Sequence, residues 1–234
     1  MSDENHKFDV IRPYGSLTKT DEKQKFTDEL KAWQTGAERQ ALKDAYWDAF
    51  QKQRDGVTMY EIRQGIIQLF TDLDAKNKDG LTFFDQPAST KFHGNSLGGL
   101  ARHCLEVYKR FDMINKEEKL GIPEDSVIII SLLHDLCKWN LYHPKVTVKG
   151  FLDERSPFQL KSDCPLGHGE MSISKIQDYI RLADIEKLLI RWHMAPYDYE
   201  WKTYQNKVRE ISKAVEWFFI ADYSASLSEG SDDE

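Results

Sequence analysis

The sequence is poor in cysteine, with three among 234 residues: Cys104, Cys137 and Cys164. So small and odd a number builds no disulfide framework and points to a reducing, cytoplasmic setting. No run approaches the ~18–20 uninterrupted apolar residues of a membrane span. The opening M-S-D-E-N-H-K is polar, so no secretory signal is expected. An excess of positive charge is also lacking: 32 basic residues face 39 acidic ones, for a net charge of −7. Four of those negative charges lie in the last seven residues, S-E-G-S-D-D-E, which leaves −3 on the rest. A mildly acidic body is a poor match for long duplex DNA, which needs a basic face, whereas small anions require only a few local cations. Neither a βαβ series nor an internal repeat is present.

What is there suffices for a fold. Hydrophobic residues make up 40% and charged residues 30%, and the length allows a sizeable core. It fits one large domain, or one domain with an appendage. Residues 1–26 are polar and aperiodic and read as a loose arm. Residues 27–80 read as a helical extension. Leu30, Trp33, Leu42, Tyr46 and Phe50 give one apolar pattern, Ile62, Ile66, Ile67 and Phe70 a second, and Asn77–Gly80 a turn. Residues 81–227 read as the main domain and 228–234 as an acidic tail.

Helical patterns follow one another from residue 97. Leu100, Cys104, Val107, Tyr108 and Phe111 share a face, and the apolar run from Val127 to Trp139 reads as a buried helix behind Pro123. Ile173, Ile176 and Ile180 give another helix, and Ile185, Leu188, Leu189 and Trp192 a further one. Ile211, Val215, Phe218 and Phe219 give the last. The fold class is therefore all-α, interrupted by a long loop at about 141–165 that leaves room for a short hairpin and reads equally as a lid or a solvated excursion.

Several polar residues sit where apolar ones are expected. His103 lies among Leu100, Cys104 and Val107. His134 and Asp135 follow directly on I-I-I-S-L-L, and His193 ends the Ile185–Trp192 face. Asp222 shares the stripe of Val215 and Phe218. One such residue is commonly a hydrogen-bonded core group, but a carboxylate on a buried stripe is costly unless paired or metal-bound. Several of them on separate helices are satisfied together by a shared metal centre. Imidazole and carboxylate suit Mn, Fe, Ni, Co or Zn.

The ordered set His103, His134-Asp135 and Asp222 resembles the HD superfamily of metal-dependent phosphohydrolases. It stands in G-G-L-A-R-H, S-L-L-H-D-L-C-K and I-A-D-Y-S-A-S, with 31 residues between the first two histidines and 87 between the aspartates. P-A-S-T-K-F-H-G at 87–94 is similar to the lead-in of HD domains in phage and Gram-positive bacterial proteins, including 3′-to-5′ exoribonucleases. The likeness spans about residues 83–226. It implies an HD-domain helical bundle with a first metal held by His103, His134, Asp135 and Asp222. A second would be held by His168 and His193, with Asp135 bridging and acting as a catalytic residue. Two ions about 3.5–4 Å apart would clamp a phosphate and activate water.

Lys138, in H-D-L-C-K, resembles the lysine of HD phosphodiesterases and dinucleoside-polyphosphate hydrolases. It would neutralise substrate phosphate from the helix face of His134, its alternative role being a solvated cation. Arg102, Lys91 and His93 are further phosphate-contact candidates, each weighed against a surface role. Glu170 is a candidate partner for a ligand histidine or a first-turn acid. Trp139, Tyr142 and Trp192 are weighed as base-stacking rings or plain core. Cys104 and Cys137 read as small buried residues, and D-A-K-N-K-D-G at 74–80 lacks the key acids of a calcium loop.

The expected activity is therefore hydrolysis of a phosphoester or phosphoanhydride of a nucleotide or related small phosphorylated substrate, with homo-oligomerisation left open. The alternatives are a phosphodiesterase or 3′–5′ exonuclease acting on short single strands or cyclic dinucleotides, and a non-catalytic nucleotide-binding HD module.

Overall fold

The computed structural model describes residues 19–54, 57–58, 63–90, 94–145, 157–161, 164 and 166–228. Residues 1–18 of the expected arm, most of the acidic tail, Ile62, Lys91 and His93 lie outside the described residues. Nine α-helices fall within them: α1 (Lys19–Thr35), α2 (Ala37–Phe50), α3 (Ile66–Leu73), α4 (Gly99–Glu117), α5 (Glu124–Leu133), α6 (His168–Gln177), α7 (Asp184–Arg191), α8 (Trp201–Ile211) and α9 (Ala214–Ser228). The fold is all-α. Its only strands among the described residues are two antiparallel pairs, β1 (Gln53–Arg54) with β2 (Val57–Thr58) and β3 (Tyr142–Pro144) with β4 (Phe158–Leu160). The second pair brackets the long loop in the register Tyr142↔Leu160 and Pro144↔Phe158.

The five-residue face expected on α4 is buried as a unit. It packs against α5, whose residues are apolar on every side and buried from Ser126 to Leu133, as a helix surrounded by protein must be. α9 closes the third side, where the rings of Phe111 and Phe218 meet edge to face at 4.9 Å. Residues 27–80 contribute to the same continuous core. Tyr46 of α2 sets its ring 5.6 Å from Phe83 and 5.5 Å from Phe84, and its hydroxyl donates to the Leu132 carbonyl on α5 at 3.4 Å. None of the described helices is long and apolar enough to cross a membrane.

Four boundaries differ from the sequence reading. α1 begins at Lys19, inside the expected arm, and Phe26 packs edge to face on Phe158 at 6.1 Å. The helical stretch 27–73 is cut by Gly36 and by the β1–β2 pair. α5 ends at Leu133 and continues as a 3-10 turn, Leu136–Lys138. Ile211 belongs to the separate helix α8 and is exposed, because Ser212 is extended (φ −159°, ψ 125°). The Ser212 hydroxyl then accepts the Ala214 N–H at 3.2 Å and starts α9.

Candidate metal centre

The end of α5 sets the site. His134 keeps helical angles, but Asp135 does not (φ −104°, ψ 19°). The tighter turn that follows folds Lys138 back, so that its Nζ lies 2.6 Å from Asp135 Oδ2. His134 Nδ1–H donates to the carbonyl of Ser131, three residues earlier, at 2.8 Å. His193, just beyond α7, repeats the device on the carbonyl of Ile190 at 2.8 Å. A carbonyl only accepts, so each Nδ1 carries a proton, and Nε2 is the nitrogen left to face the cluster.

Those two Nε2 atoms converge on Asp135. His134 Nε2 is 3.5 Å from Asp135 Oδ2 and 3.7 Å from Asp222 Oδ1, while His193 Nε2 is 3.6 Å from Asp135 Oδ1. These separations exceed hydrogen-bond length. His134 Nε2, His193 Nε2 and Asp135 Oδ1 are buried without a hydrogen-bond partner. α4 supplies His103, with Nε2 2.9 Å from Asp222 Oδ1 and 4.0 Å from Asp135 Oδ2. Ligand atoms of His103, His134 and Asp222 lie within 4.8 Å of one another, and so do those of Asp135, Cys137 and His168.

Burial opposes ionisation of both aspartates, yet their neighbours win. Lys138, His134 and His193 hold Asp135 well below the usual carboxylate range, and His103 and His134 do the same for Asp222. Burial likewise opposes charge on His134, but Asp135 and Asp222 raise its pKa. His168 is lowered, chiefly by burial. Burial also pushes the Cys137 thiol up to about 12. Two carboxylates kept anionic beside three imidazoles form a donor set that fits a divalent cation, which would displace the Nε2 protons on binding. The Nδ1–H bonds to backbone carbonyls are the outer-shell support that orients ligand histidines.

Glycines explain how the elements approach. Gly98, the residue before α4, has φ +76°, and a Cβ there would meet the Trp33 ring at 2.2 Å. At Gly169 a Cβ would stand 2.4 Å from the Arg191 carbonyl oxygen and 2.7 Å from that of Ile190, the acceptor for His193. The start of α6 therefore sits directly on the end of α7, which brings His168 and His193 to the same end of the bundle. Gly169→Ala is expected to force these helices apart at a cost of about 1–3 kcal/mol, read as a lower urea midpoint together with reduced metal retention. An unchanged midpoint would show that the contact gives way easily.

Other expected site residues are engaged differently. Arg102 is a correction: its guanidinium contacts Glu38 (2.7 Å), Ser96 Oγ (2.9 Å) and the Leu97 carbonyl (2.7 Å), and it lies over the Trp33 ring at 5.3 Å. It fastens α4 to α1 and α2 rather than facing the cluster. Lys138 is buried in its ion pair with Asp135, so its ammonium already has a counter-charge. Burial opposes that charge, but Asp135 raises the lysine's pKa above its ordinary value. Glu170 lies 2.5 Å from Arg191 Nε, in a group with Asp198 and Glu200, and serves α7 rather than a ligand histidine. In the 74–80 segment Asn77 Oδ1 accepts the N–H groups of Asp79 and Leu81, which makes it a turn.

The base-stacking candidates also resolve. Tyr142 is buried with Leu81 and Phe158, Trp139 packs on the main core, and Trp192 is buried with Arg191 4.1 Å over its ring. Sequence reasoning missed a more open ring group. Tyr197, four residues after His193, and Phe219 and Tyr223, flanking Asp222, lie together. Phe219 and Tyr223 are stacked at 5.7 Å and 18°, and Tyr197 is 6.1 Å from Phe219. Tyr197 and Tyr223 are 65% and 44% exposed. The signal was their spacing from the ligand candidates.

Fold and cluster together define a class: an all-α protein in which separate helices deliver imidazoles and carboxylates to one buried point. Compared with protein-family models, curated proteins and solved structures, the chain matches none.

Proposed function

We propose that the protein is a metal-dependent phosphohydrolase of the HD type, working in the cytoplasm on a phosphoester or phosphoanhydride bond of a nucleotide or related small phosphorylated substrate. The observation that carries this reading is the pair of buried imidazoles, His134 and His193. Each has Nδ1–H tied to a carbonyl and Nε2 aimed at Asp135 without a hydrogen bond. An unpartnered buried polar atom is costly, and a cation between these groups satisfies three at once.

His103, His134, Asp135 and Asp222 would hold the first ion. Asp135, with Oδ2 toward His103 and His134 and Oδ1 toward His193, would join it to a second ion served by His193 and His168. A bound divalent ion lowers the pKa of water and withdraws charge from a phosphoryl group. The residues do the rest. Lys138 keeps Asp135 ionised and fixes its carboxylate. The partly exposed ring group Tyr197, Phe219 and Tyr223, on α9 and on the turn after His193, offers a stacking surface that supports a substrate bearing a base.

The direct test is turnover by Mn- or Fe-loaded protein against nucleotides, cyclic dinucleotides, dinucleoside polyphosphates and short RNA. Absence of turnover with every substrate would overturn the reading. Elemental analysis is expected to approach two ions per chain in the native protein and to fall toward one in His193→Ala, with the helical content retained. One ion in both proteins would return His193 to a structural role. Lys138→Met is expected to keep the metal but lose about 10–100-fold in kcat/KM, the scale for outer-shell partners. Wild-type kcat/KM in this variant would remove Lys138 from the machinery.

A further inference from the structure

The sequence pattern gives Cys137 no role beyond filling space, but its surroundings do. We propose that Cys137 Sγ is a further ligand of the second metal ion, adding sulfur to the nitrogen and oxygen donors His168, His193 and Asp135. The inference rests on the metal-centre reading above and deepens it. The ligand atoms of Cys137, His168 and Asp135 lie within 4.8 Å of one another, and Cys137 and Asp135 are buried. Asp135 Oδ1 is buried without a hydrogen-bond partner, an independent sign that a cation belongs on that side of the carboxylate.

α6 fixes the thiol in place. His168, Ser172 and Lys175 stand at i, i+4 and i+7, one face of the helix. Ser172 Oγ accepts the Cys137 N–H at 3.0 Å, and Lys175 Nζ donates to the Cys137 carbonyl at 3.1 Å and to the Trp139 carbonyl at 2.6 Å. The peptide carrying Cys137 is thus clamped on both sides by the helix whose first residue is His168. These bonds fix the Cys137 backbone relative to His168.

The chemical consequence is selectivity. A thiolate favours Zn, Fe or Co over Mn and Mg, whose preferred partners are oxygens. On binding, the S–H bond breaks, the S–metal bond forms and the proton leaves to the buffer.

Co(II) reports sulfur ligation directly. Wild-type protein loaded with Co(II) is expected to show a near-ultraviolet sulfur-to-cobalt charge-transfer band beside the visible ligand-field bands. Cys137→Ser and Cys137→Ala are expected to lose the first and keep the second, and Cys104→Ser and Cys164→Ser to keep both. His168→Ala, which leaves every thiol intact, is expected to weaken the charge-transfer band and serves if the Cys137 variants do not fold. Cobalt bound without the band in wild type would overturn the cysteine ligand and leave the phosphohydrolase reading standing. A band that survives in Cys137→Ser, or that persists at full strength in His168→Ala, would overturn this ligand set. Failure of wild type to take up any cobalt would overturn both readings.

Discussion

Asp135→Ala is expected to abolish turnover, with a loss beyond the ~10–100-fold typical of an outer-shell partner, and to strip the bound metal. The two oxygens of Asp135 face different imidazoles, His134 on one side and His193 on the other. Removing it takes a donor from both proposed ions at once. The same change strands Lys138, which is buried and has its ammonium 2.6 Å from Asp135 Oδ2. Breaking a buried pair from one side costs about 3–5 kcal/mol, so the variant should also unfold at lower urea. Asp135→Ala/Lys138→Met separates the two effects: the second substitution should recover stability without recovering metal or activity. Metal content and turnover at wild-type levels in Asp135→Ala would end the metal-centre reading.

Asp85→Ala is expected to have the largest effect on folding away from the site. Asp85 is fully buried at the junction of α1, α2 and the segment leading to α4. It accepts bonds from Arg39 Nε (2.8 Å), Trp33 Nε1 (3.1 Å), Gln34 Nε2 (2.9 Å), and the Thr82 N–H (2.8 Å) and hydroxyl (2.9 Å). Its loss leaves several buried donors without an acceptor and removes one of the two carboxylates on Arg39, the other being Asp74 at 2.7 Å. About 3–5 kcal/mol is the expected cost in urea or thermal unfolding. Metal content per folded molecule should stay at the wild-type value. A loss under about 1 kcal/mol would show that water or rearranged partners replace the carboxylate.

The two cases differ in how far the sequence reaches. His103, Asp135 and Asp222 were visible because each polar side chain interrupts an apolar stripe, and a stripe is a local, periodic property. The same periodicity located α4, the core of α5 and most of α9. It put Lys138 on the side of His134, and both side chains do reach Asp135 Oδ2, but the switch from α-helix to a 3-10 turn after Leu133 leaves no mark in hydrophobic spacing. It also missed the breaks at Gly36 and Ser212, where a single backbone angle ends a helix that the apolar pattern would continue.

Residue type and spacing by themselves determined that the chain is all-α and that His103, His134, Asp135 and His193 lie in apolar surroundings, whereas the buried Asp85 and His143 interrupt no apolar stripe. Only the tertiary structure decided what those groups meet. Arg102 looked available for a phosphate, yet Glu38, 64 residues away, holds it. Cys137 looked like filler, yet α6 clamps its peptide beside His168. Tyr197 lies 22 residues before Phe219, yet the packing of α9 on the turn after His193 gathers it with Phe219 and Tyr223. In each case the partner is far along the chain, and such pairings are fixed by how helices pack rather than by any local pattern.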